Sequence, residues 1–174
     1  MRFRLIAATI VALSLIACNG PDKPALEMGR ENTLVEAPEY TGVIISKNGA
    51  SEFRYLFDEA STEFWEPSID DISRAETCIR QFLVSAQHDP KLAAYQKENA
   101  AFILKNLGEY RRQYVGIVVD GEKRIWCNSF SSDDSYPEWQ QHPVYVLDGG
   151  RSYWQIEYIP LEDECVNFHV HGES

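Results

Sequence analysis

The pair Asp120-Gly121 is the feature that most constrains the fold, because it separates two short apolar segments of similar length. Residues 114–119 and 123–130 are rich in β-branched and aromatic side chains. An Asp-Gly pair between two such segments is typical of a two-residue turn with positive φ at both positions. The sequence therefore predicts an antiparallel β-hairpin at this point, with high β content around it.

A helical pattern lies upstream of this hairpin. Ser68 is suited to an N-cap, and Asp70 and Asp71 follow in the first turn, where the helix dipole favours negative charge. The pattern predicts a helix over residues 69–87 and, after His88-Asp89-Pro90, a second helix over residues 91–106. The apolar stripe of the first helix consists of Ile69, Ile72, Ile79, Phe82, Leu83 and Ala86.

The remaining apolar segments predict further strands. Residues 40–47 and 51–57 flank Asn48-Gly49 and predict a first hairpin. Two more strands, at residues 144–147 and 152–159, form a second hairpin, and residues 165–170 form a last strand. Helices followed by a run of strands predict an α+β fold, with one or two helices packed on a curved antiparallel sheet of about five to seven strands.

The N-terminal segment has the composition of a secretory signal. Arg2 and Arg4 precede an apolar run over residues 5–17, and Leu15-Ile16-Ala17-Cys18 closes it. This closing motif resembles the lipobox of bacterial lipoproteins. The resemblance implies that a diacylglycerol group is joined to the Cys18 sulfur and that the chain is cut just before it. The alternatives are a signal peptide cut nearby and an uncleaved anchor, although a membrane-spanning helix needs about 20 apolar residues.

These features divide the chain into a signal peptide at residues 1–17, a lipidated tether at residues 18–39 and one α+β domain at residues 40–174. In lipoproteins the residue after the cysteine helps to sort the protein between the two membranes. Asn19 is not the aspartate associated with retention at the inner membrane. The resemblance thus implies a lipid-anchored protein of the bacterial cell envelope, on the outer membrane and facing the periplasm.

The charge balance limits the choice of partners. The chain has 27 acidic and 16 basic residues and a formal net charge of −11. Nucleic acid and anionic lipid surfaces would repel such a chain, so we expect membrane contact only through the lipid anchor. A cationic envelope protein or peptide is electrostatically suited to it. No glycine-rich phosphate-binding motif occurs in the sequence, and no cofactor is predicted.

Three cysteines remain once Cys18 is assigned to lipid. Cys78 lies on the predicted apolar face of the first helix, which predicts a small buried hydrophobic residue. Cys127 and Cys165 lie in predicted strands, and the periplasm permits disulfides. Cys127 and Cys165 are therefore candidates for a bridge, provided that their Cα atoms lie within about 7 Å.

Two histidines are the candidate metal ligands. His169 and His171 are two residues apart in a predicted strand, so their imidazoles point to the same face. Together with Glu157 or Glu173 they would supply the three protein ligands of a catalytic zinc site. The alternative is that both are solvent-facing residues at the end of the final strand.

Aromatic residues are the candidate binding surface. Tyr136, Trp139, Tyr145 and Tyr153 would form a platform for a partner if they lie on the solvent face, because Tyr and Trp are enriched at binding hot spots. The alternative is that they pack across strands within the core.

The C-terminal half also resembles small secreted bacterial proteins of unknown function, on turn glycines and alternating aromatics such as Ile125-Trp126-Cys127-Asn128-Ser129-Phe130 and Asp148-Gly149-Gly150. This resemblance implies the fold and transfers no active site. The sequence favours a non-catalytic binding or accessory module. The rival hypothesis is a small metal-dependent hydrolase that uses His169 and His171, and a third is a structural spacer of the envelope.

Overall fold

The computed structural model describes residues 31–57, 63–131 and 136–172. The signal peptide and Cys18 therefore lie outside the described residues. Seven strands and two α-helices are found in the described part of the chain: β1 (Thr33–Ala37), β2 (Tyr40–Ile44), β3 (Glu63–Trp65), α1 (Ile69–Ala86), α2 (Ala94–Lys105), β4 (Tyr110–Val119), β5 (Glu122–Ser131), β6 (Tyr153–Ile159) and β7 (Glu164–Val170). Short 3-10 helices occur at Gly49–Leu56, Leu107–Glu109 and Gly150–Ser152.

The strands form one sheet in the order β1-β2-β4-β5-β6-β7, and β3 pairs with β4 beyond the end of β2. This confirms the predicted α+β fold with helices on a sheet. The pairing of β2 with β4 is parallel, whereas the sequence predicted an antiparallel sheet throughout. The chain leaves β2 and returns to β4 through α1 and α2, and a long helical crossover of this kind is what a parallel pair requires.

The hairpin around Asp120-Gly121 is confirmed. Asp120 and Gly121 have φ of 52° and 81°, as the predicted turn requires. The β4–β5 ladder extends from Val119↔Glu122 to Tyr110↔Ser131 and is thus longer than predicted. At Gly116 the strand needs glycine, because an added Cβ would lie 2.2 Å from the carbonyl oxygen of Trp65 on β3.

Helix α1 begins where the sequence predicts. Ser68 caps it in a capping box with Asp71, whose backbone N–H donates to Ser68 Oγ at 3.2 Å while the Ser68 N–H donates to the Asp71 carboxylate at 2.9 Å. Ile72, Ile79 and Leu83 are fully buried against the sheet. The second helix, α2, is shorter than the predicted span of residues 91–106.

The predicted hairpin at residues 40–57 is wrong. Residues 49–56 form a 3-10 helix and not a returning strand. Its first turn closes on Ser46, whose carbonyl accepts from Ala50 N–H at 2.9 Å and whose hydroxyl accepts from Gly49 N–H at 3.1 Å. Ala50 and Phe53 are both buried, and their spacing of three residues matches the three residues per turn of this helix.

Strand β2 pairs instead with β1, which lies in the segment that the sequence assigned to the tether. Val35 is buried in β1, so the folded part of the chain begins before residue 40. The predicted strand at residues 144–147 is also absent from the described residues, and this segment is a loop with Val144 buried.

The sheet has a core on each face. One core lies under α1 and α2, as predicted for the first helix, and it includes Ile72, Ile79, Leu83, Ile125, Ile156 and Trp154. The other lies under the 3-10 helix Gly49–Leu56 and the loop at residues 136–149, and it includes Phe53, Val115, Trp126, Phe130, Trp139 and Tyr153. The second face is therefore covered largely by loop and 3-10 segments.

The disulfide joins Cys78 to Cys165, with Cα atoms 6.0 Å apart, and Cys127 is free and buried. The predicted Cys127–Cys165 bridge is wrong, because β6 lies between β5 and β7 and two strand spacings amount to about 10 Å. The prediction of Cys78 as a free buried residue is also wrong, because α1 packs against β7 and brings Cys78 to Cys165.

Candidate functional site

The structure separates the four residues of the predicted aromatic platform. Trp139 and Tyr153 are buried in the core, as the alternative of packing within the core expects, and they are not part of an exposed platform. Tyr136 is half-buried against Phe130, with ring centroids 5.5 Å apart. Tyr145 alone among the four is a predominantly surface residue, with 47% of its area exposed. Alternation along a strand does not reveal that a distant loop covers the second face.

A buried amide network holds that loop on the sheet. The side-chain amide of Gln113 donates to the carbonyls of Trp139 at 2.6 Å and His142 at 2.7 Å. Its oxygen accepts from Asn128 Nδ2 at 3.1 Å and from Val144 N–H at 3.0 Å. Buried polar networks that are satisfied in this way fix a segment in one geometry. The loop that carries Tyr145 is thus tied firmly to β4 and β5.

Three exposed apolar side chains lie in this part of the molecule, and we call them the aromatic surface: Tyr55, Tyr145 and Leu147. They are 65%, 47% and 70% exposed, respectively. The rings of Tyr55 and Tyr145 meet edge to face with centroids 6.2 Å apart, and Tyr145 is also in ring contact with His171. Leu147 follows Tyr145 by two residues in the same loop. Such clustering of exposed apolar residues is typical of an interaction site.

The two histidines of the predicted metal site do lie together. Their ring centroids are 5.0 Å apart. Glu157 is one of the two candidates for a third ligand. Its carboxylate instead accepts hydrogen bonds from Arg124 Nη1 at 2.9 Å and from Asn167 Nδ2 at 3.0 Å. Glu173, the other, lies outside the described residues. Over residues 31–57, 63–131 and 136–172 there is no group of three His, Cys, Asp or Glu side chains placed to hold a metal ion.

His171 is expected to resist protonation. Burial lowers its pKa below the ordinary 6.5 and the neighbouring His169 lowers it further, while the Leu147 backbone and Asp148 act in the opposite direction. We expect an NMR titration to give a midpoint below 6.5 in the folded protein. Because the unfolded chain then binds the proton more readily, His171 makes the folded state less stable as the pH drops below 6.5. A titration midpoint of His171 in the folded protein at or above that in the urea-unfolded chain would contradict its burial beside His169.

A buried ion pair lies on the other face of the sheet, and the sequence did not predict it. Arg112 is fully buried, and its Nε lies 2.9 Å from Oε1 of Glu76 on α1. The same oxygen accepts the Tyr114 hydroxyl at 2.7 Å. Arg112 Nη1 and Nη2 donate to the carbonyls of Tyr110 and Leu107 at 3.0 and 2.9 Å. One sequence signal was available, since Glu76 falls within the apolar stripe between Ile72 and Ile79.

The electrostatics of this cluster are set by burial. Burial raises the pKa of Glu76, and the Arg112 charge and the Tyr114 hydroxyl oppose that rise. Burial lowers the pKa of Arg112, but the Glu76 carboxylate outweighs it together with smaller contributions, so the pKa is raised overall. Burial, with Glu76, also raises the pKa of the Cys127 thiol to about 12. Cys127 is therefore a protonated thiol at neutral pH and not a nucleophile.

A cleft of about 520 Å³ opens above Glu76. Its walls come from the β1–β2 turn on one side and α1 on the other, and its lining residues are Ala37, Pro38, Glu39, Tyr40, Ser73, Glu76, Thr77 and Arg80. At the rim, Arg80 Nη2 donates to the Glu39 carboxylate at 2.6 Å. The cleft thus combines a buried carboxylate with an accessible ion pair.

No protein-family model, curated protein or solved structure matches this chain. Among the helices of the described residues, none has the length and apolar character needed to span a membrane. The assignment of a function therefore depends on the motifs of the sequence and on the geometry of these two sites.

Proposed function

We propose that the protein is a lipid-anchored, non-catalytic binding module of the bacterial cell envelope, on the outer membrane and facing the periplasm. It contacts a cationic envelope protein or peptide through the aromatic surface. The observation that carries this proposal is the clustering of Tyr55, Tyr145 and Leu147, exposed on a loop and a 3-10 helix that pack firmly on the sheet.

Two features support the location. The Leu15-Ile16-Ala17-Cys18 motif resembles a lipobox, and residues 19–32 separate Cys18 from β1 in the sequence. The Cys78–Cys165 disulfide supports an oxidising compartment, because such bridges persist in the periplasm and are rare in the cytosol.

Two physical arguments favour binding at the aromatic surface. Tyrosine rings bury a large area on contact and lose little conformational entropy, so they are frequent anchors of interfaces. The net charge of −11 favours encounter with a basic partner. Asp148 lies close enough to His171 for its charge to act on the imidazole, which places a carboxylate at the border of the surface.

Lipid attachment at Cys18 has a direct test. We expect the N-terminal peptide of the mature protein to begin at Cys18 and to carry the mass of its acyl chains. We expect Cys18→Ala to prevent this modification, because the alanine side chain has no sulfur to carry the diacylglycerol. Mass spectrometry and membrane fractionation measure both. An unmodified Cys18 in membrane-bound protein would contradict the proposal.

Binding is tested by co-purification of full-length protein extracted from membranes. We expect the Tyr55→Ala, Tyr145→Ala double variant to lose a basic envelope protein that the unaltered protein retains. Tyr95→Ala is the matched control, because Tyr95 is 64% exposed on α2, outside the aromatic surface. Equal retention by the double variant and the unaltered protein, or equal loss in the Tyr95→Ala control, would contradict the proposal.

The rival hypothesis is tested on the same material. A metal-dependent hydrolase that uses His169 and His171 would retain stoichiometric metal, measured by elemental analysis, and would lose it in the His169→Ala, His171→Ala variant. That result, together with no retained partner, would replace the binding module by the hydrolase.

A further inference from the structure

The cleft above Glu76 presents charges along one face of α1. Ser73, Glu76, Thr77 and Arg80 follow one another at helical spacing and all line the cleft. Glu76 and Arg80 are four residues apart, so their Cβ atoms are separated by about 6 Å. Opposite them, the β1–β2 turn contributes Glu39 and Tyr40.

The Glu76 carboxylate has bonding capacity that the protein leaves unused. Both of its close contacts, from the Tyr114 hydroxyl and Arg112 Nε, are made to Oε1. Among the described residues Oε2 receives no hydrogen bond, although only 8% of Glu76 is exposed. An ionised carboxylate can accept about four hydrogen bonds. Glu76 lines the cleft, so Oε2 is open to a donor from a bound ligand.

The rim can rearrange at small cost. Glu39 and Arg80 are paired at 2.6 Å, and their side chains are 67% and 44% exposed. Exposed ion pairs of this kind contribute at most about 1 kcal/mol to stability. A ligand that offers a carboxylate to Arg80 and a cation to Glu39 can replace the ion pair between them, and neither side chain is then left without an opposite charge.

We propose that this cleft binds a small zwitterion, with its ammonium group at Glu76 and Glu39 and its carboxylate at Arg80. The chemical class that fits is an unblocked dipeptide. Its two Cα atoms are about 3.8 Å apart, so its charged ends are separated by about 5–6 Å. Arg80 and Glu39 both lie close enough to Glu76 for their charges to act on its carboxylate.

The charge balance of the cleft favours a ligand that carries both charges. The charge of Glu76 is offset by Arg112 and that of Glu39 by Arg80, so the four groups sum to zero. A simple anion at Arg80 would displace Glu39 and leave that carboxylate unpaired, and a simple cation would leave Arg80 unpaired. Burial also raises the pKa of Glu76, because it disfavours the charged carboxylate, and a bound ammonium group would stabilise that carboxylate.

Calorimetric titration of the full-length, detergent-extracted protein with alanyl-alanine tests the proposal. We expect saturable binding of alanyl-alanine, and binding weaker by about tenfold or more for N-acetyl-alanyl-alanine and for alanyl-alanine amide, each of which lacks one charge. Arg80→Gln and Glu39→Gln are expected to reduce the affinity to a similar degree.

Arg74→Gln is the matched control, because Arg74 lies on the same helix with 49% of its side chain exposed and binds Pro160 and Asp163 outside the cleft. We expect it, and the Tyr55→Ala, Tyr145→Ala variant, to bind alanyl-alanine normally. The proposal is overturned if alanyl-alanine shows no binding at millimolar concentration, if a blocked form binds equally well, or if the two rim variants bind like the control. None of these results bears on the proposed binding at the aromatic surface.

Discussion

Glu76→Ala is expected to lower the free energy of unfolding by about 3–5 kcal/mol, the cost typical of removing one partner from a buried ion pair. The physical reason is that Arg112 is fully buried and keeps its charge, so removal of Glu76 leaves that charge without its carboxylate. The same change removes the acceptor of the Tyr114 hydroxyl. Denaturant unfolding of the variant and the unaltered protein measures the difference.

Two further variants separate the charge effect from a general loss of packing. Glu98→Ala is the matched control, because Glu98 is exposed on α2 and its replacement should change stability by less than about 0.5 kcal/mol. The double variant Glu76→Leu, Arg112→Met should recover the part of the loss that comes from the unpaired charge, since it removes both charges and keeps apolar volume. The Tyr114 hydroxyl stays without its acceptor in both variants. A loss below about 1 kcal/mol for Glu76→Ala would show that the pair does not stabilise this core.

Loss of the Cys78–Cys165 disulfide is expected to lower stability by about 4 kcal/mol. The two cysteines are 87 residues apart, and closing so long a loop removes much conformational entropy from the unfolded chain. The bridge also ties α1 to the edge strand β7, so we expect the Cys78→Ser, Cys165→Ser variant to expose this edge at lower denaturant concentration.

The pairing itself can be measured before any stability experiment. Alkylation of the unfolded, unreduced protein should label Cys127 alone, since Cys78 and Cys165 are bonded to each other and the proposed lipid occupies Cys18. A reducing agent should destabilise the unaltered protein and leave the double serine variant unchanged. Labelling of Cys78 or Cys165 without reduction would contradict the assigned bridge.

The elements that the sequence predicted well are those whose signals are local. The turn at Asp120-Gly121 needs only its own φ angles and the two flanking segments, and it formed as predicted. The start of α1 depends on Ser68 and Asp71 alone, and the capping box is present. Such features are encoded within a few residues, so a single sequence reveals them.

The features that the sequence did not predict depend on partners far along the chain. Asn48-Gly49 favoured a hairpin, but the burial of Ala50 and Phe53 under the sheet stabilises a 3-10 helix instead. Cys165 bonds to Cys78 because α1 packs against β7. No local sequence pattern predicts this contact.

The two sites show the same limit. Of the aromatic platform, Tyr145 is exposed and Trp139 is buried. The sequence could not distinguish the two, because their exposure depends on where the loop at residues 136–149 packs. The cleft was not predicted, because Glu76 and Arg112 are 36 residues apart in sequence and meet only through the packing of α1 on β4. A charge inside an apolar helical stripe is the signal to look for in similar chains.

Site-specific photo-crosslinking in living cells tests the central proposal most directly. A photoreactive phenylalanine analogue is placed at position 145 of the full-length protein, and at position 95 as the control. We predict one discrete product from position 145 that contains a basic envelope protein, and no such product from position 95. Identical products from both positions, or none from position 145 in protein that is confirmed to be folded and membrane-attached, would contradict the proposed binding function.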